Sequence, residues 1–289
     1  MTTNKNTLEH IIHGIFLLMG LVAVGCVLLI TVYLVISGIP AILEIGLIDF
    51  LFGKEWASTA TDPKYGIWAF ILTSIYGTAG AIVIGVPIGF MTAVYLSKIA
   101  SPKVKSMMQS AVSLLAGIPS VVYGLVGMLV LVPGIREIFG VPDGASLLAA
   151  IIVLAIMILP SIIKMSITAL DAVPKEYEDA SLALGATPIE TYFKVSVPAA
   201  KSGIAAAVVL GVGRAIGEAM AVMMVAGNVP NMPDSIFQSV RFLTTAVSSE
   251  MAYSSGLQQQ ALFSIALVLF LFIMLINATL NFFLKRETE

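Results

Sequence analysis

Arg214 and Glu218 lie four residues apart inside an otherwise apolar run, 202–227, where an ionised side chain is expensive. On a continuous helix that spacing puts both on one face about one turn apart, close enough to neutralise each other. Two chemistries remain open. The pair could fix helix packing, or Arg214 could offer its planar fork of N–H donors to an oxyanion while Glu218 orients the guanidinium or takes a proton from the ligand. Around them, Gly211, Gly213 and Gly217 are spaced unlike a dinucleotide fingerprint and follow no strand, so they read as helix-packing positions.

Other chemistry is hard to build from this chain. The sequence has no G-x-x-x-x-G-K-[ST] loop to cradle nucleotide phosphates, so ATP and Mg would have to be handled by another subunit and the chain itself is not read as an enzyme or a cofactor binder. Its histidines, His10 and His13, stand near the N-terminus without a ligand cluster, and its single cysteine, Cys26, lies in an apolar run and permits no intramolecular disulfide. Lys164 is expected to snorkel its ammonium to the membrane interface, and Asn277 and Asn281 to bridge helices.

The elements that must position Arg214 and Glu218 are membrane spans. Of 289 residues 58% are hydrophobic and 11% charged, with a mean hydropathy of +1.01 and a formal charge of −2, which suits lipid and gives nothing to attract nucleic acid. Six stretches reach the roughly 20 apolar residues a bilayer requires: 14–37, 67–96, 107–132, 145–163, 202–227 and 262–284. Backbone groups in hydrocarbon must bond within their own segment, and no alternating barrel pattern is present, so the expected fold is an all-α membrane protein with six transmembrane helices. The first run is too long for a signal peptide and is read as a retained helix, and the apolar stretch 39–52 as interfacial. This divides the chain into 1–66, a head with the first helix and an external segment, and 67–289, a core of five helices.

If the six helices alternate in direction, ten basic residues fall on one side: Lys5, Lys98, Lys103, Lys105, Lys164, Lys175, Lys194, Lys201, Lys285 and Arg286. The other side has Lys54, Lys64, Arg136 and Arg241. Positive residues favour the cytoplasm, which puts both termini inside.

The cytoplasmic segment 171–201 reads as folded. Pro174 suits a helix start, 175–184 is helix-compatible, and Gly185 fits the left-handed residue past a helix end. Thr187, Pro188 and Glu190 then make a capping box for a second helix. Ala180, Ser181, Ala183 and Ala186 keep the elbow slim enough for another protein to approach.

The run Asp179-Ala180-Ser181-x3-Gly185-x9-Val195-x-Val197-Pro198 resembles the EAA loop, EAA-x3-G-x9-I-x-LP, of binding-protein-dependent ABC importer permeases. Spacing, glycine and proline agree, and the four substitutions are mild. The resemblance implies a type I (MetI-like) permease bundle whose loop inserts into a partner ATPase, with Tyr177, Asp179, Ala180, Ser181, Leu184, Gly185, Ala186, Thr187 and Pro198 at that contact. Residues 115–124 (LAGIPSVVYG) and 210–228 (LGVGRAIGEAMAVMMVAGN) are similar to the phosphate-importer branch, the latter to the PstC type rather than the PstA type. This implies a heterodimer with a PstA-like permease, two PstB-like ATPases, a PstS-like phosphate-binding protein, and a pore for phosphate in the inner membrane. A permease for molybdate or sulfate, or the PstA-like subunit itself, is the alternative within the family. A secondary transporter or a membrane-embedded enzyme would leave the loop unexplained.

Overall fold

The computed structural model describes residues 3–286. The side chains of Lys5, His10, Asn281, Lys285 and Arg286 lie outside the described residues. The chain is almost wholly helical, with one two-stranded antiparallel pair, β1 (Trp56–Ala57) and β2 (Lys64–Tyr65).

Helix α1 (Thr3–Ile45) runs past the expected end at residue 37 and through Pro40. Gly46, at φ 94°, then turns the chain into the short α2 (Leu47–Phe52), so the stretch read as interfacial is split between two helices. The outer part of α1 packs on the last helix, α14 (Gly256–Arg286). Their approach is close at Gly38, where a Cβ would stand 3.0 Å from the Phe263 carbonyl oxygen.

The centre of the bundle is α7 (Leu147–Asp171), packed between α3 (Trp68–Val94) and α11 (Lys201–Gly217). Lipid supplies no hydrophobic drive between helices, so backbone proximity has to supply contact. Gly80, Gly85 and Gly89 of α3 receive Ile151, Ile158 and Ile162 of α7, and Gly211 of α11 receives Ile162 from the other side. Ile158 and Ile162 are fully buried there.

Two expected spans are interrupted. The stretch 107–132 is not one helix: α4 (Pro102–Gly117) stops, Ile118 and Pro119 are extended, and α5 (Ser120–Val126) starts again. A proline disfavours the helical region for the residue before it, in keeping with Ile118 at φ −70°, ψ 127°. A π turn (Gly127–Leu131) joins α5 to α6 (Val132–Phe139), and the helix of membrane length here is Ser120–Phe139, shifted from the expected one. The stretch 202–227 likewise breaks, α11 ending at Gly217 and α12 (Met220–Val225) following two residues later. Among the described residues five helices are singly long and apolar enough to cross a membrane, and a sixth span forms if Pro188–Ala199 and Lys201–Gly217, bent by 71°, are taken together.

Beyond α12 the chain folds back over the start of α7. The Ser146, Leu147 and Leu148 N–H groups donate to the carbonyls of Val225, Gln238 and Ile236, which satisfies donors that a helix start leaves unpaired. Helix α13 (Leu243–Glu250) follows. Arg241 there pairs with Glu250 and donates to the Asn228 carbonyl from Nε and Nη2 (3.1 and 2.9 Å), while Glu250 also accepts from Trp56 Nε1 and Gln258 Nε2.

Gly124 of α5 lies against α12, where a Cβ would sit 2.9 Å from the Ala221 Cα. Gly124→Val therefore over-packs this contact and is expected to cost about 1–3 kcal/mol, measured as a lower melting temperature of the purified protein in detergent; Gly134→Ala, which meets nothing within 4 Å, leaves that temperature nearly unchanged.

Candidate translocation path and coupling loop

The contact at Gly124 brings the two interruptions side by side: the start of α5 rests on the start of α12. Each break frees backbone groups at a depth without water, and side chains take them up. The Tyr123 hydroxyl donates to the Leu115 carbonyl across the first gap (2.8 Å). At the second, Glu218 Oε1 accepts the Ala221 N–H (3.1 Å) and the Thr244 hydroxyl donates to the Glu218 carbonyl (2.8 Å).

This corrects the expectation of a self-neutralising Arg214–Glu218 pair. The i,i+4 geometry requires a continuous helix, but Glu218 is extended at φ −73°, ψ 128°, and its carboxylate caps α12. Among the described residues no ion pair joins the two, and Arg214 reaches Ser161 on α7 instead, with Nη1 at 3.5 Å from the hydroxyl. Tyr123 is within electrostatic reach of the guanidinium. Arg214 is thus half-buried at the interruptions, with a hydroxyl partner and donors left over.

The coupling segment folds as its punctuation dictates. Pro174 precedes α8 (Lys175–Ala183), Gly185 takes φ 90°, and Thr187 and Glu190 form the reciprocal capping box at the start of α9 (Pro188–Thr191). A π turn (Tyr192–Ser196) and α10 (Val197–Ala199) lead into α11. Tyr177, Asp179, Ala180, Leu184, Gly185, Thr187 and Pro198 are exposed, Leu184 at 90%, whereas Ser181 and Ala186 are half-buried. Ser181 shares a hydroxyl hydrogen bond with Thr191 (2.9 Å), which fixes the angle of the elbow. Exposed Tyr177, Leu182, Leu184 and Ile189 give it an apolar outer surface.

The elbow is tied to the membrane helices by charge. Lys98, in the π turn (Tyr95–Ile99) that continues α3, pairs with Glu178 of α8 at 2.6 Å, both side chains largely buried, and the Ser196 hydroxyl donates to the same carboxylate (2.8 Å). Lys105 of α4 pairs with Asp171 at the end of α7 (2.8 Å). Burial alone would raise the Glu178 carboxyl, but the hydrogen bonds from Lys98 and Ser196 outweigh it and hold the group below the ordinary glutamate range. Tyr123, Ser161, Thr244 and the Lys98–Glu178–Ser196 cluster were not legible as site residues, since their partners are 8 to 80 residues away in sequence and one sequence has no record of such pairings.

A bundle of membrane-length helices, interrupted around an arginine and ending in an exposed capped elbow, defines a transport permease. The chain belongs to the family of binding-protein-dependent transport system inner membrane components, whose model matches residues 85–287. It is 41% identical, over 89% of its length and 86% of the relative's, to the probable ABC transporter permease protein YqgH of Bacillus subtilis. It is 33% identical to the phosphate transport system permease protein PstC of Pasteurella multocida, covering 77% of this chain and 75% of that one. Among solved structures, the alginate ABC transporter aligns at a TM-score of 0.63 with 16% identity over 97% of this chain and 96% of that one. The inward-facing MetNI methionine ABC transporter aligns at 0.57 with 22% identity, over 78% and 95%. These likenesses show the MetI-type all-α permease fold.

Because the lowered Glu178 carboxyl stabilises the fold only when ionised, that contribution is present above the ordinary glutamate range and is lost as pH falls through the depressed value. Glu178→Gln is expected to lower the melting temperature at pH 7, and its deficit against the unaltered protein should shrink progressively as thermal scans are repeated at pH values below that range.

Proposed function

We propose that this chain is one of two permease subunits that together form the path for inorganic phosphate across the cytoplasmic (inner) membrane, in an importer driven by ATP. The observation that carries the reading is Arg214, held at the junction of two broken helices without a carboxylate partner among the described residues. Similarity to phosphate permeases supports the choice of anion. The sequence of basic residues supports cytoplasmic termini, and with them an elbow at 171–201 that faces the cytoplasm.

In this reading the second permease is PstA-like, two PstB-like ATPases bind ATP and Mg below, and a PstS-like protein delivers phosphate from outside. Tyr177, Leu184 and the Gly185 turn seat in the ATPase, and its closure moves α8. Lys98–Glu178 passes that movement to α3, and the covalent run through Pro198 passes it to α11, which carries Arg214. Glu218 holds the start of α12, and Arg214 receives the oxyanion with charge-assisted hydrogen bonds. The chain's own part is to bind, orient and release the anion. Nucleotide chemistry belongs to the partner.

The test is phosphate uptake at micromolar phosphate in cells lacking this gene and any paralogue, with the gene restored. Arg214→Ala is expected to reduce uptake at least tenfold, as loss of a charge-assisted contact worth about 1.5–3 kcal/mol implies. The exchange Arg214→Glu with Glu218→Arg is expected not to restore it, because the two side chains have different partners. Unchanged uptake without the gene, or full recovery in the exchanged pair, would overturn the assignment.

For the elbow, Gly185→Val costs about 1–2 kcal/mol of left-handed strain without any clash, since nothing lies within 4 Å of that Cβ. It is expected to weaken co-purification of the ATPase subunit while the permease itself still reaches the membrane.

A further inference from the structure

The inner half of the bundle carries polar groups that neither interruption uses. Lys164 of α7 lies seven residues before Asp171, which at 1.5 Å per residue places it about 10 Å inside that end of the helix. Its side chain is exposed in this chain, and its ammonium has no ion-pair or hydrogen-bond partner among the described residues. A snorkelling lysine beside lipid would need only apolar neighbours along its stem. Lys164 lines a cleft of about 280 Å³ in which Gln109 and Ser113 of α4 and Thr168 of α7 stand beside the apolar Val112, Ile163 and Ile167.

Those groups form a track. Ser106, Gln109, Ser110 and Ser113 recur on α4 at intervals of three, four and seven, hence on one face, along a groove of about 660 Å³ that opens toward Lys105. Ser161, the hydroxyl that Arg214 reaches, is three residues before Lys164 on α7, so the Lys164 Cα lies about 4.5 Å further along the axis toward the Asp171 end, close to the same face of the helix. At roughly 30 Å³ per water, the cleft has room for a tetrahedral oxyanion and several waters.

We propose that Lys164, with Gln109, Ser113 and Thr168, forms an inner anion subsite that takes inorganic phosphate from Arg214 on its way to the cytoplasm; this rests on the phosphate reading given above. The chemistry of the two cations differs in a useful direction. Arg214 has a forked guanidinium that grips an oxyanion bidentately, whereas an ammonium is a compact, strongly hydrated charge that holds a hydrated anion more loosely. A second cation further along α7 competes with the first, and conduction needs sites strong enough to be entered and weak enough to be left. Gln109 contributes amide N–H donors and the Ser113 hydroxyl a further one, while the Thr168 hydroxyl, which donates to the Lys164 carbonyl (3.0 Å), keeps lone pairs that can accept from a protonated phosphate oxygen.

The experiment uses the complete transporter with its binding protein, reconstituted in liposomes and supplied with ATP on the ATPase side, in a Cys26→Ser background. Without a further change, this complex is expected to import inorganic phosphate. Lys164→Cys is expected to lower the phosphate transport rate at least tenfold while binding-protein-stimulated ATP hydrolysis stays within twofold. Aminoethylation of the introduced thiol by a methanethiosulfonate, which rebuilds an ammonium at nearly the same reach, should return at least half of the rate, and methylthiolation should return none. Lys164→Gln should repeat the loss and Lys164→Arg keep at least half of the rate, which decides the matter should the cysteine variant not assemble. Transport within twofold of the parent in Lys164→Gln, or equal rescue by both thiol reagents, would overturn the subsite. A parent complex that hydrolyses ATP but imports no phosphate would overturn the phosphate reading itself, and the ligand of the subsite with it.

Discussion

Backbone amides in a hydrocarbon slab have no water to turn to, and the arrangement of this protein follows from where it breaks that constraint. Irregular backbone at membrane depth survives only when it is buried in protein or borders a polar cavity. Both breaks are bridged by a few side-chain bonds: Tyr123 to Leu115, Glu218 to Ala221, and Thr244 to Glu218. The electrostatic result concerns Arg214. Because Glu218 is engaged at the start of α12, the guanidinium keeps its positive charge uncompensated by that carboxylate.

The rest of the bundle holds these breaks in place. Helix α7 is the common wall: α3 and α11 lie on it through glycines, and its first turn is anchored by carbonyls of the returning 225–238 segment. Its last residue, Asp171, meets Lys105, and seven residues later Glu178 meets Lys98. The elbow at Gly185 therefore does not hang from a single covalent connection. It is cross-linked by buried charge to a neighbouring helix, so a displacement of α8 has more than one route into the membrane.

Much of this was legible from residue types. Pro174, Gly185, Thr187, Pro188 and Glu190 dictate the elbow down to its capping box, because capping and left-handed turns are decided within four or five residues. Span composition gave the helical class and nearly the span count. What composition could not give was continuity. Pro119 was visible, but a proline in a membrane helix can kink or break it, and the contact of Gly124 with Ala221, from a segment about a hundred residues away, was not. The break at Glu218 has no proline at all, and only on an unbroken helix could the same residues form the ion pair that was one of the two readings left open. Ser161 as the partner of Arg214, and the cleft around Lys164, likewise arise from helix registers that one sequence does not state.

The uneven apolarity of the spans also has a consequence for how the protein is made. Helix α1 has a mean hydropathy of 2.9 over its span and no buried residues in that window, so it can partition into lipid as soon as it leaves the translocon, with no help from the rest of the chain. Helix α11 is different: it qualifies as a span only together with the Pro188–Ala199 segment, and it brings an arginine with it. Its partners on α7, Ser161 for the charge and Ile162 for the glycine face, are synthesised about 50 residues earlier and can already be in the bilayer when Arg214 arrives. The order of the segments along the gene thus matches the order in which insertion becomes affordable, the autonomous helix first and the dependent one after its dock.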